Sequence, residues 1–196
     1  PIFIIGCPRS GTTITLQILA AHEQLGWISD HQHVRPTNTK VSLLNRVYDI
    51  PGIGKRLYLK KTQGHGGIPR ALEYYLPTPA EPWGFWGHYL HNFWWERDGA
   101  PPRRRTPDDV TDDEIRRTTR AVRSVLRMHG KPRLLSKYTD LPRVQYLSRA
   151  FPDALFIHIV RDGRAVAASY HQKVVSGEMG TWKNKDWWVS GWPEEW

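Results

Sequence analysis

A single cysteine, Cys7, stands in 196 residues, so no disulfide can form within the chain and no cysteine framework points to an oxidising compartment. Long apolar runs are missing as well. None approaches the roughly 20 residues that a membrane-spanning helix needs, and the opening Pro1 to Ile5 is too short for a span and has no basic start of a secretory signal. There is no initiating methionine, which leaves room for a leader or anchor upstream. Acidic residues are in deficit: 19 Asp and Glu against 28 Lys and Arg leave a formal net charge of +9. That balance attracts anions, and nucleic acid, an acidic membrane face and a phosphorylated small ligand satisfy it equally. Internal repeats and low-complexity linkers are absent too. With 24% charged and 39% hydrophobic residues, residues 1–196 are expected to form one compact domain with its own core. Ten tryptophans suit stacking surfaces or core and lid packing alike.

The periodicities predict an α/β fold. Pro1 to Ile5 reads as a buried strand entering a glycine-rich turn. A helix then follows over about Thr12 to Ala21, with Ile14, Ile18 and Ala21 on one face. From Gly26 to Gly67 the pattern weakens, and loops with one short helix near Val41 to Tyr48 are expected. The aromatic stretch from Ile68 to Asp98, containing Trp83, Phe85, Trp86, Tyr89, Phe93, Trp94 and Trp95, is expected to cap the substrate side rather than join the core. Arg103 to Arg105 reads as a solvated charge cluster. Thr111-Asp112-Asp113-Glu114 is a capping box, and Gly130 with Pro132 ends the helix that it opens. Leu134 to Ser136 predicts a short strand, Arg143 to Ala150 a helix, and Ala154 to Val160 a strand buried on both faces of a parallel sheet. A last helix spans Gly163 to Val175, and the tail from Gly177 reads as loop.

The sharpest chemical signal is Gly6-Cys7-Pro8-Arg9-Ser10-Gly11-Thr12-Thr13, placed between a strand and a helix. Glycines let the backbone turn tightly, and the amides of Ser10 to Thr13 open the helix and form an anion cradle. Here again an absence is informative. Thr12 stands where a nucleotide triphosphatase carries the lysine that reaches the β- and γ-phosphates, which argues against a triphosphate ligand. Arg9 supplies the cation from within the loop and can fork onto a phosphate or sulfuryl oxygen.

This loop resembles the 5′-phosphosulfate loop of sulfotransferases that use 3′-phosphoadenosine 5′-phosphosulfate (PAPS), with bacterial and tyrosylprotein-type members nearest in motif. The resemblance implies a three-layer parallel sheet flanked by helices, like that of P-loop nucleoside triphosphatases, with Pro8, Arg9, Ser10, Gly11, Thr12 and Thr13 around the 5′-phosphosulfate. About 150 residues later, Arg161-Asp162-Gly163-Arg164 and Ser169 resemble the family's 3′-phosphate element, which pairs an Arg at a strand end with a Ser eight residues on. Arg161 would emerge at the carboxyl edge of the sheet, where open α/β folds bind ligands; Arg164 is a weaker match. Between the two, Leu135 to Pro142 resembles a segment whose lysine, here Lys137, approaches the transferred group.

The resemblance implies PAPS as co-substrate, no metal, and a sulfuryl acceptor that is a carbohydrate, lipid-linked glycan or phenol hydroxyl. By the same similarity, the proton acceptor is Asp30, followed by His33, His31 and Asp140. His31 and His33 alone, without further ligands at supporting spacing, do not define a metal site. A P-loop kinase or nucleotide hydrolase, and a basic nucleic-acid-binding domain, are the alternatives, although no nucleic-acid partner is expected. Nothing after Trp182 resembles the late basic loop of cytosolic members, so a domain incomplete at its C-terminal end is expected. A cytoplasmic location is preferred, with a Golgi-lumen enzyme that has lost its anchor as the alternative.

Overall fold

The computed structural model describes residues 1–63, 68–90, 106–139 and 144–176. Asp140, Arg103 to Arg105 and the tail from Gly177 lie outside the described residues. Four strands form one parallel sheet: β1 (Ile2–Gly6), β2 (Leu25–Trp27), β3 (Arg133–Thr139) and β4 (Leu155–Ile159), in the order β2-β3-β1-β4. The central strand β1 aligns Gly6 with Thr139 on one side and with Ile159 on the other, so the carboxyl ends of three strands finish level. The helices are α1 (Thr12–Ala20), α2 (Asp30–Val34), α3 (Gly54–Gln63), α4 (Arg70–Tyr75), α5 (Trp83–Tyr89), α6 (Asp112–His129), α7 (Val144–Ala150) and α8 (Gly163–Val175). Two 3-10 segments, Thr39–Asp49 and Pro107–Asp109, complete the described elements. No described helix is long and apolar enough to cross a membrane.

Strand alternation sorts the core into two halves. Phe3, Leu134, Tyr138 and Phe156 pack toward α5, α6 and α7. Ile4, Leu135 and Ile157 point the other way, toward Leu16 and Ala20 of α1 and Tyr58 of α3. The architecture is therefore the expected α/β one, a parallel sheet with helices on both faces. Removing each fully buried side chain from water contributes about 1.5–3 kcal/mol, and Phe3, Ile4, Leu135, Leu147 and Val125 are all fully buried.

Helix α6 begins and ends as its sequence dictates. The Glu114 amide donates to the Thr111 hydroxyl over 3.2 Å, and the Thr111 amide donates to the Glu114 carboxylate over 2.8 Å. At the other end Gly130 adopts φ 78°, and its amide donates to the Leu126 carbonyl over 2.8 Å. The Arg46 side chain donates to the carbonyls of Met128 (2.7 Å) and Arg127 (3.0 Å), satisfying two of the last acceptors.

Several elements depart from the sequence expectation. In α1 the buried face is Thr12, Leu16 and Ala20, whereas Ile14 and Ile18 are 54% and 65% exposed. The helix is short enough that the loop before it, rather than its most apolar stripe, sets its rotation. Strand β4 lies at the sheet edge and is half open, with Leu155 exposed, so its continuous apolar character marks an edge here rather than a two-sided burial. Phe85, Trp86 and Leu90, expected in a cap, are fully buried core residues; the Trp86 indole N–H donates to the Ser136 hydroxyl over 3.2 Å. The stretch expected to be mostly loop contains β2, α2 and α3 as well as the 3-10 segment. Its strand has three residues and α2 five, too few for a periodicity to register.

His129 joins β2 to α6. Its Nδ1 accepts from the Trp27 amide over 3.3 Å and its ring lies edge-on to the Trp27 indole. Burial, reinforced by the Lys131 ammonium, lowers its pKa to about 4. The folded state therefore binds fewer protons than the unfolded chain between about pH 4 and 6.5, and stability falls as pH drops through that window. From this group we expect a loss of about 3 kcal/mol between pH 6.5 and 4, with a flat contribution above 6.5. Denaturant midpoints measured against pH, with His129→Gln as reference, should show this slope in the difference between the two proteins; parallel curves would remove His129 as its source.

Candidate functional site

The chain leaves β1 at Gly6 and turns through Cys7 to Gly11 into α1. The turn needs special backbone: Gly6 has φ 155°, Gly11 has φ 105°, and Arg9 occupies the left-handed region at φ 67° without being glycine. A β-carbon on Gly6 would lie 2.6 Å from the Ile159 carbonyl of β4, so the strand ends approach too closely for any other residue. The Ser10 amide donates to the Cys7 carbonyl over 3.2 Å and closes the turn. The anion cradle thus falls to the amides that follow, at the start of α1, where helix geometry leaves the first N–H groups without internal acceptors. Ser10 Oγ is buried and has no hydrogen-bond partner, an unsatisfied polar atom at the floor of the loop. Thr12 is buried and Thr13 exposed. Cys7 is exposed, and partial burial of its thiol raises the pKa, which keeps it protonated and a poor nucleophile at neutral pH.

Three side chains from distant elements, two of them cationic, converge on this loop. Arg161, just past β4, donates from its Nη1 to the Arg9 carbonyl over 2.8 Å. Ser169, on the second turn of α8, accepts from Arg9 Nε over 3.1 Å. Lys137, pointing from β3, donates to Thr13 Oγ1 over 2.9 Å. The residues on either side of a gap of some 150 positions therefore meet at one edge of the sheet. Arg164 turns away: its guanidinium and amide both donate to Asp162, which lowers that carboxyl's pKa and starts α8.

The sequence expectation passed over Glu81. One carboxylate oxygen pairs with the Lys137 ammonium at 2.8 Å, and the other accepts from the Thr139 amide at 2.9 Å and from the Thr139 hydroxyl. Both partners are largely buried, with Lys137 9% and Glu81 18% exposed, so the pair is shielded from solvent screening. A signal was present. Glu81 is the sole carboxylate between Glu73 and Glu96, in a run rich in proline, glycine and aromatics.

Asp30, His31 and His33 follow the carboxyl end of β2, and each hydrogen-bonds the backbone of the segment that carries Glu81. Asp30 Oδ1 accepts from the Thr78 amide (3.0 Å) and the His31 amide (2.9 Å). His31 Nε2 meets the Tyr75 carbonyl at 3.2 Å, and His33 Nδ1 accepts from the Gly84 amide at 3.1 Å. An isolated antiparallel bridge between Ser29 and Pro79 runs through the same contact. These side chains hold residues 75–84 against α2 and so place Glu81. Among the described residues, no three His, Cys, Asp or Glu gather as a metal-binding group.

The arrangement suits an anionic ligand with two charged ends. Helix-start amides and the orphaned Ser10 hydroxyl await acceptors, Arg9 and Lys137 supply positive charge beside them, and Arg161 with Ser169 supplies a second donor group on α8's side. The residues present thus fit a nucleotide that carries phosphate at both its 3′ and 5′ positions.

The model of the sulfotransferase family matches residues 1–193. An uncharacterized protein of Aquifex aeolicus (strain VF5) is 26% identical over 187 residues, which cover 92% of this chain and 18% of that protein. The chain thus spans about a fifth of the length of that curated relative. No solved structure matches significantly. With a strand–loop–helix anion cradle, a second cationic element facing it across the sheet edge, and a family match running almost end to end, the chain belongs to the sulfotransferase family.

Proposed function

We propose that this protein transfers a sulfuryl group from PAPS to an acceptor hydroxyl of a carbohydrate, lipid-linked glycan or phenol. One observation supports the reading: Arg161 reaches the Arg9 carbonyl and Ser169 the Arg9 guanidinium, so the two motifs meet at one edge of the sheet. The α1 amides and Ser10 hold the 5′-phosphosulfate, and Arg161 with Ser169 holds the 3′-phosphate. Bound there, the donor supplies a sulfuryl group whose bond to the 5′-phosphate oxygen breaks as the acceptor oxygen bonds to sulfur. Arg9 and Lys137 stabilise the negative charge that builds on the departing phosphate. Glu81 holds the Lys137 ammonium in place, and we assign it the acceptor's proton. Asp30 and His33 act through the 75–84 segment, by positioning Glu81. A cytoplasmic setting is the one we favour, supported by a chain with one cysteine.

The assignment of the 3′-phosphate predicts a loss of discrimination. Arg161→Ala should weaken 3′-phosphoadenosine 5′-phosphate by at least tenfold while leaving adenosine 5′-phosphate within about threefold, because a lost charge-assisted bond is worth about 1.5–3 kcal/mol. Calorimetric titration of both nucleotides measures this. Equal weakening of the two, or tighter binding of ATP than of the bisphosphate by the unaltered protein, would sink the reading.

The proton assignment separates the carboxylates. Glu81→Gln should lower turnover about 100-fold with 3′-phosphoadenosine 5′-phosphate affinity little changed, since removing a general base or its charge network costs about 10²–10⁴ in rate. Asp30→Asn keeps an acceptor oxygen for the Thr78 amide and should cost less than tenfold. Transfer of radiolabelled sulfuryl across a panel of hydroxyl acceptors gives both numbers, and the reverse ranking would return the role to Asp30.

A further inference from the structure

From His31 to Leu72 the chain carries eight Lys and Arg but a single acid, Asp49, and that one is paired with Lys131 at 2.5 Å. Within this stretch, residues 50–53 turn from the 3-10 segment Thr39–Asp49 into α3, and all four are exposed. Ile50 is 48% and Ile53 63% exposed. Turns ordinarily take Gly, Pro, Asn, Asp or Ser, which water solvates readily. Two isoleucines facing water here carry an unfavourable hydration that a second apolar phase would relieve.

The turn is fixed and it protrudes. The Ile50 carbonyl accepts from the Gly54 amide over 2.8 Å and from the Ile53 amide over 3.4 Å, and the Ile53 carbonyl accepts from the Leu57 amide over 3.0 Å. Behind the turn, a β-carbon on Gly54 would lie 2.1 Å from the Tyr48 carbonyl; at its apex, one on Gly52 would meet nothing within 4 Å. Helix α3 sets positive charge beside the isoleucines. Ile53, Arg56 and Lys60 stand at i, i+3 and i+7 on its outward side, with Lys55 and Leu59 next to them, and all five are exposed. Tyr58 faces the other way, buried, with its ring edge-on to Tyr48.

This tip lies at the end of the sheet opposite the candidate site. Lys131, which pairs with Asp49, stands two residues before β3, and Arg46 bonds the carbonyls of Arg127 and Met128 just ahead of it. From there the seven residues of β3 run about 20 Å to Thr139 and the loop edge.

Aliphatic side chains on a convex, fixed turn call for an apolar phase, and the cations around them call for negative charge at its surface. A bilayer with anionic headgroups supplies both, the acyl boundary beneath and the charge above. Nucleic acids and acidic polysaccharides offer the charge with no apolar interior for isoleucine. A folded partner needs a socket cut to the tip, whereas a fluid acyl boundary adapts to any shape. We propose that Ile50 and Ile53 insert into the surface of an anionic bilayer, with Lys55, Arg56 and Lys60 among its headgroups, so that the Arg9–Lys137–Arg161 edge faces away from the lipid. No residue of the tip is shared with that edge, so the proposal stands whether or not the sulfuryl-transfer reading does.

The test floats the full chain with vesicles of phosphatidylcholine alone, or with about one-third phosphatidylserine, at about 100 mM salt. The unaltered protein should partition at least tenfold more strongly into the anionic vesicles, about what two or three surface cations supply. I50S/I53S should lose more than tenfold on them, because the inserted apolar area is gone. K55Q/R56Q/K60Q should bind the two vesicle types within about threefold of each other. R120Q/R123Q/R127Q removes as much charge from α6 and should change partition less than threefold. A single-stranded oligodeoxynucleotide should bind the unaltered protein and I50S/I53S equally, since it reads charge alone. If the double variant loses its far-ultraviolet helix signal, Ile53→Ser alone should show a loss of about fivefold. Unaltered partition of the isoleucine variants, or equal losses in the two charge triples, would reduce the binding to net charge and overturn the proposal. So would an unaltered protein that stays with neither vesicle type, which would leave the tip to a protein partner.

Discussion

Everything at the functional edge depends on the register of β1. Because Gly6 is level with both Thr139 and Ile159, the loop that follows it, the segment after β3 and the arginine after β4 all leave the sheet at the same height. A one-residue slip of a strand would invert its inward and outward side chains, exchanging Phe3 for Ile4 between the two half-cores. The core therefore fixes the register, and the register fixes the site. Gly6 completes the constraint from the other direction, since only a residue without a side chain lets β4 pass so close to the start of the loop. Packing deep in the domain and ligand geometry at its rim are consequences of the same pairing.

Seen this way, the site is one connected network with two supports. On one side, Arg161 and Ser169 clasp Arg9 from above β4. On the other, Thr13, Lys137, Glu81 and Thr139 form an unbroken chain of contacts from the first helix to the segment that precedes α5. The second support is itself anchored by Asp30, His31 and His33 through backbone bonds to residues 75–84. Residues grouped near one another in sequence, Asp30 to His33, thus fix the place of Glu81 through a segment some fifty positions later. Lys137 and the carboxylate beside it come from different parts of the fold, and each holds the other in place.

Much of this was legible in the amino-acid order. The loop and the α6 capping box carry their geometry in short, local patterns, because turns and caps are decided by a few adjacent residues. Arg161 and Ser169 were legible for a similar reason, as a strand end followed by a helix. Other features needed the third dimension. Which face of α1 is buried depends on how the preceding loop delivers the helix, and Ile14 and Ile18 are exposed despite their apolar side chains. The edge position of β4 follows from strand order, which no single strand encodes. Trp86 reads from sequence as a surface aromatic among glycines and histidines, yet it fills the centre of one half-core. Glu81 was hidden because its partners, Lys137 and Thr139, stand more than fifty residues away and nothing local announces them.

Arg9 holds a conformation that glycine would adopt more easily, with φ at 67°. For a residue with a β-carbon this left-handed backbone costs on the order of 1 kcal/mol, and the contacts from Ser169 and Arg161 keep it there. The domain thus gives up some folding free energy in order to present a guanidinium from a turn. A protein shaped for durability alone would put glycine at that position; arginine there keeps a guanidinium at the turn, tied to a residue 160 positions later.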